Sequence, residues 1–134
     1  MKEIAKFSTK YLSYQLIATV FSKESGIIVD ISGPNDHLGG VGIGIPYQRK
    51  NGENSANSHC ISFPSHRDGE LASSLARIIS KITRFHTIVL LGIHIPEITK
   101  GQLKEITRFL EEWVVNWAQL LINEISLSSD RVES

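Results

Sequence analysis

A chain of 134 residues with 41% hydrophobic content is long enough to close one core without disulfides or metal staples, and it fits a single domain over residues 1–134. Fourteen basic side chains balance fourteen acidic ones, so no net field draws the chain to nucleic acid, an anionic membrane or an acidic partner, and binding has to be local. No apolar run approaches the roughly 20 residues that span a bilayer, and Met1-Lys2-Glu3-Ile4-Ala5-Lys6 lacks a signal core; with one cysteine and no internal disulfide, the expectation is a cytoplasmic protein in which Cys60 is a small buried strand residue.

Residues 1–12 read as an amino-terminal lead. The β-formers of residues 14–21, the polar turn of 22–26 and the apolar run of 27–31 predict a hairpin. Its first strand is apolar on both faces, with Leu16, Ala18 and Val20 on one and Ile17 and Phe21 on the other, which predicts a second subunit against one of them and hence a homo-oligomer. After the breaker Ser32-Gly33-Pro34-Asn35-Asp36, a third strand is predicted over about 38–47 and a fourth over 58–63, joined by a polar loop containing Asn51-Gly52, so that four strands form an antiparallel meander. The period then changes. Leu71, Leu75, Ile78, Ile79 and Ile82 share a helical face from Asp68 onward, with Ser65 as N-cap. Thr87-Ile88-Val89-Leu90-Leu91 reads as a strand buried on both faces. Leu103, Ile106, Leu110, Trp113, Val114, Trp117 and Leu121 form one stripe of a final helix from about Lys100 to Glu124, followed by a frayed tail over 126–134.

The order ββββαβα predicts a two-layer α+β fold, with a mixed, mostly antiparallel five-stranded sheet and two helices. The topology has a consequence for three histidines in sharp chain contexts: Asp36-His37-Leu38-Gly39-Gly40, Pro64-Ser65-His66-Arg67-Asp68 and Gly92-Ile93-His94-Ile95-Pro96. His37 precedes strand three and His66 follows strand four, which places both at one sheet end, and a crossover helix brings His94 to the same end. Ser65 to Asp68 opens a helix, where exposed N–H groups together with His66 and Arg67 suit a phosphate or carboxylate. Strand three alternates Val41, Ile43, Ile45 and Tyr47 with Gly40, Gly42, Gly44 and Pro46, stripping one face of side chains; tight helix packing and a flat ligand are both consistent with that face. Three histidines also admit a catalytic zinc centre, although no short HxH or HxxxH pair is present. His59 and His86 fall at strand and turn positions, the tryptophans fit core packing, and neither a nucleophile elbow nor a phosphate-binding glycine loop is present.

The His37-Leu38-Gly39-Gly40, Pro64-Ser65-His66-Arg67-Asp68 and Gly92-Ile93-His94 segments, with a long final helix, resemble the prenylated-flavin chaperone family that accompanies gallate-type prenylated-FMN-dependent decarboxylases, over about residues 13–122. Ser65 stands where the family pattern has Gly, and Ile95-Pro96-Glu97 replaces an aromatic followed by Asp-Asn. The resemblance implies a carrier rather than a catalyst, which binds prenylated FMN or an FMN-type flavin without a metal and protects or delivers it to an apo-decarboxylase. It further implies cofactor contacts from His66 and Arg67 at the phosphate, a close backbone approach at Gly39 and Gly40, and polar groups from His37 and His94. The alternatives are a small metal-assisted enzyme using the three histidines and a non-catalytic protein-interaction module.

Overall fold

The computed structural model describes residues 1–35, 37–63, 68–93 and 98–133, with side chains as far as residue 123. Alternation begins earlier than the sequence reading placed it. Phe7, Thr9 and Tyr11 are half-buried while Lys6, Ser8 and Lys10 face water, and the segment forms β1 (Lys2–Tyr11), antiparallel to β2 (Tyr14–Lys23). The lead of residues 1–12 is therefore corrected to a strand, whose regularly spaced lysines hide its apolar period and suit an outer position.

The expected hairpin of β2 with β3 (Gly26–Ser32) is present, as is the antiparallel pair of β4 (Gly40–Gln48) with β5 (Asn54–Ser62), although β5 starts well before residue 58. Next come α1 (Asp68–Thr83), β6 (His86–Gly92) and α2 (Lys100–Glu133). The sheet has six strands rather than five, in the order β1-β2-β3-β6-β4-β5. The meander is broken because β6 enters between β3 and β4, parallel to the first and antiparallel to the second. An aliphatic strand gains most from a central place, where neighbours on both sides satisfy its backbone. Since β5 and β6 both oppose β4, they run the same way, and α1 is the crossover between them.

Register sorts the side chains into rows. Val20, Val29, Val89, Gly42 and Cys60 form one row on the helix side, and Ala18, Ile31, Leu91, Gly40 and Ser62 form the next. Leu75, Ile79, Leu110, Val114 and Leu121 close the core over them. The opposite face carries the rows Phe21, Ile28, Ile88, Ile43, His59 and Thr19, Asp30, Leu90, Val41, Ile61. The expectation that β6 is buried on both faces is thus corrected: Val89 is fully buried, but Ile88 is 38% exposed. Cys60 is corrected likewise, because its outer strand leaves it exposed rather than buried.

Helix packing accounts for the glycine alternation of β4. A Cβ on Gly40 would overlap the Gly69 backbone, one on Gly42 the Ala72 carbonyl, and one on Gly44 the Ala76 carbonyl. α1 therefore lies against this face, which leaves no room there for a flat ligand. The final stripe behaves as expected, with Ile106, Leu110, Val114, Trp117 and Leu121 buried. Trp117 stacks on Phe7 at a centroid distance of 4.9 Å and meets Trp113 edge-on at 6.0 Å, which ties α2 to β1. α2 runs to Glu133 instead of ending near Glu124, since no Gly or Pro follows Leu121 to stop it. Among the described residues no helix is long and apolar enough to cross a membrane.

Candidate functional site

Parallel pairing sets the carboxyl ends of β3 and β6 side by side, with Ser32 opposite Gly92. β4 begins at that same end, Gly40 opposite Leu91, and β5 finishes there, Ser62 opposite Gly40. Main-chain bonds draw the connecting segments together. The Gly33 N–H donates to the Gly92 carbonyl at 3.1 Å and the Gly39 N–H to the Leu91 carbonyl at 2.8 Å. The His37 carbonyl lies over Gly92 so closely that a Cβ there would overlap it, and only glycine admits that approach. From the first turn of α1, the Asp68 carboxylate reaches across to accept from the Ile93 N–H at 3.4 Å, and a Cβ on Gly39 would overlap the same carboxylate. The segment before β4, the start of α1 and the segment after β6 therefore meet at one corner.

His37 is half-buried and contributes to a hollow of about 380 Å³ where this corner meets the open sheet face. Phe21, Ile28, Leu38 and Leu90 supply apolar walls, Met1 also lines it, and Asp30 and His37 are the ionisable side chains. Asp30 stands in a strand row between Thr19 and Leu90, and the Ser32 hydroxyl donates to its Oδ1 at 3.3 Å. A carboxylate accepts hydrogen bonds and repels anions, while an imidazole accepts or donates according to its tautomer. The arrangement suits a flat, largely apolar group that turns an N–H toward Asp30 and a polar edge toward His37. It does not suit a phosphate in the same hollow. A second hollow, of about 410 Å³, lies between β1 and α2 and mixes Lys104 and Arg108 with Glu105 and Glu112. There the Tyr11 hydroxyl donates to Glu105 Oε2 at 3.4 Å, and desolvation together with that carboxylate raises the Tyr11 pKa.

Of the residues the sequence singles out, His37, Gly39 and Gly40 share this corner. His66, Arg67 and His94 lie outside the described residues, although Asp68 and Ile93 beside them meet across it. Among the described residues no three His, Cys, Asp or Glu side chains gather to hold a metal, and two histidines of the zinc alternative are not among them. Asp30 was missed. Its signal was an ionisable residue inside the strand Ile27-Ile28-Val29-Asp30-Ile31, where a purely structural outward position more often takes Thr.

No curated protein matches the chain. A family match spans residues 10–122, from Lys10 near the end of β1 to Ile122 in α2, so it takes in the corner and, except for Met1, the residues that line the hollow beside it. On that match the chain belongs to the family of the prenylated flavin chaperone LpdD-like domain.

Proposed function

We propose that this protein binds prenylated FMN in the cytoplasm and delivers it to an apo-decarboxylase that depends on it, without catalysing decarboxylation. The observation that carries the reading is the meeting of three motif segments at one sheet end, beside an apolar hollow that holds Asp30 and His37. The residues fit such a cofactor. Phe21, Ile28 and Leu90 offer a wall to the ring system, Asp30 accepts from a ring N–H, and His37 bonds a polar ring edge. The negative charge of Asp30 turns the phosphate away from the hollow, which agrees with the family resemblance in giving His66 and Arg67 the phosphate and His94 a polar contact. Gly39 and Gly40 serve by admitting the start of α1 to the corner beside the hollow. The flavin supplies the decarboxylation chemistry once it reaches the enzyme; the residues of this chain hold it, orient it and keep water from its apolar part.

Titration of the protein with prenylated FMN, followed by tryptophan fluorescence or calorimetry, should saturate at one flavin per chain. Asp30→Asn and His37→Ala should each raise Kd about tenfold, the loss expected for one hydrogen bond to a charged or polar ring group, with the far-ultraviolet circular dichroism retained. Unchanged affinity in both variants would remove the hollow from the binding site.

A further inference from the structure

The two edges of the sheet are built differently. β1 carries Lys2, Lys6 and Lys10 along its length, which discourages another strand from adding there. β5 closes the other edge with Asn54-Ser55-Ala56-Asn57-Ser58-His59-Cys60-Ile61-Ser62, a segment without Asp, Glu, Lys or Arg. Pairing two copies of β1 would set lysines against lysines, whereas pairing two copies of β5 opposes no like charges.

The direction of the backbone groups on β5 follows from Pro46. Pro46 has no N–H and pairs with Ala56, so this is a pair without mutual hydrogen bonds, and the Ala56 N–H and C=O turn to the outer edge. Arg77 agrees: its Nε reaches round from α1 to donate to the Ala56 carbonyl at 3.1 Å. By alternation, the backbone groups of Ser58, Cys60 and Ser62 turn outward as well. Arg77 closes the edge at Ala56, and Arg84 bonds the Asn54 side chain at the start of the strand. The stretch left for a new strand is centred on Cys60. On the open face beside it lies Ile61, 54% exposed, the least covered large apolar side chain within any described strand.

We propose that β5 is a dimer interface, in which a second copy of the chain adds its own β5 antiparallel about a two-fold axis at Cys60. Ser58 then faces Ser62 of the other copy, and the two sheets become one. This pairing is isologous, so the same short surface is used twice and the assembly closes at two. It extends the row of Thr19, Asp30, Leu90, Val41 and Ile61 across the axis and covers Ile61. The two Cys60 residues face each other in a hydrogen-bonded pair with Cα atoms about 5.5 Å apart, within the span of a disulfide.

Sedimentation velocity of the full chain over a range of concentrations should show a monomer–dimer equilibrium. Copper–phenanthroline oxidation should convert the dimer to a covalent one through Cys60. Cys60→Ser should still dimerise but give no covalent product, while Ser58→Lys, at a half-buried edge position, should weaken association about tenfold or more with the far-ultraviolet circular dichroism retained. A chain monomeric at every concentration would overturn the proposal. So would a dimer that Ser58→Lys leaves unchanged and that Ile43→Lys abolishes, since the open face would then be the interface.

Discussion

Gly42→Ala is expected to lower the melting temperature by about 10 °C. Gly42 lies in mid-strand, paired with Cys60 on one side and Val89 on the other, so β4 cannot move aside. The added Cβ would meet the Ala72 carbonyl and the Ser73 nitrogen, which are helix backbone and cannot rotate away. α1 would have to lift from the sheet and give up part of the burial of Leu75 and Ile79. Overpacking of this kind costs about 3 kcal/mol, whereas glycine to alanine at an unobstructed strand position stabilises by about 0.4–1 kcal/mol. The sign is therefore the test. Gly101→Ala, on an exposed helical turn where the nearest atom to the new Cβ is Thr99 Oγ1 at 3.9 Å, should raise stability instead. A Gly42→Ala protein that melts at or above the parent would mean that α1 does not lie this close to β4.

On the proposed binding in this hollow, Leu90→Asn should abolish most of the preference for prenylated over unmodified FMN that the proposal entails. The prenyl unit adds five carbons, and burying the equivalent of two or three methylenes against Phe21, Ile28 and Leu90 favours the prenylated form by about 15- to 50-fold at roughly 0.8 kcal/mol each. Asparagine is close to leucine in size but wets the wall, so discrimination should fall to a few-fold while the Kd for FMN itself changes little. Parallel titrations of both flavins separate this from general damage. An equal loss for the two would show that Leu90 faces the common ring system rather than the added carbons.

Much of this fold is legible in the chain because its signals are local. The β-formers of residues 14–31, the stripe of Leu75 and Ile79 and that of Leu110, Val114 and Trp117 each specify an element through their period alone. β1 escaped because its lysines break up the apolar pattern. The insertion of β6 between β3 and β4 escaped for a different reason: strand order depends on contacts far apart in sequence, and a short apolar run does not say which strands will flank it. The same run misled about burial, since Ile88 and Leu90 face the open side although they are as aliphatic as Val89 and Leu91. The glycine alternation of β4 announced one bare face without naming what fills it; the backbone of α1 does.

Of the convergence expected for the three histidine segments, the described residues carry His37, Gly39, Gly40, Asp68, Gly92 and Ile93, while His66 and His94 lie outside them. Strand direction determines where the ends of β3, β4, β5 and β6 fall, and the bonds of Gly33, Gly39 and Ile93 join the described neighbours of those ends. The hollow was not legible, because Phe21, Ile28, Asp30 and Leu90 come from three strands and align only through register. A lone Asp among β-branched residues was the one trace it left in the sequence.

The most direct test of the carrier reading is native mass spectrometry of the protein co-produced with a supply of prenylated FMN, before and after mixing with an apo-decarboxylase of that type. One prenylated FMN per chain, lost from this protein on mixing and gained by the decarboxylase as its activity appears, is the predicted result. A chain that purifies without flavin, beside a decarboxylase that loads equally well in its absence, would contradict it.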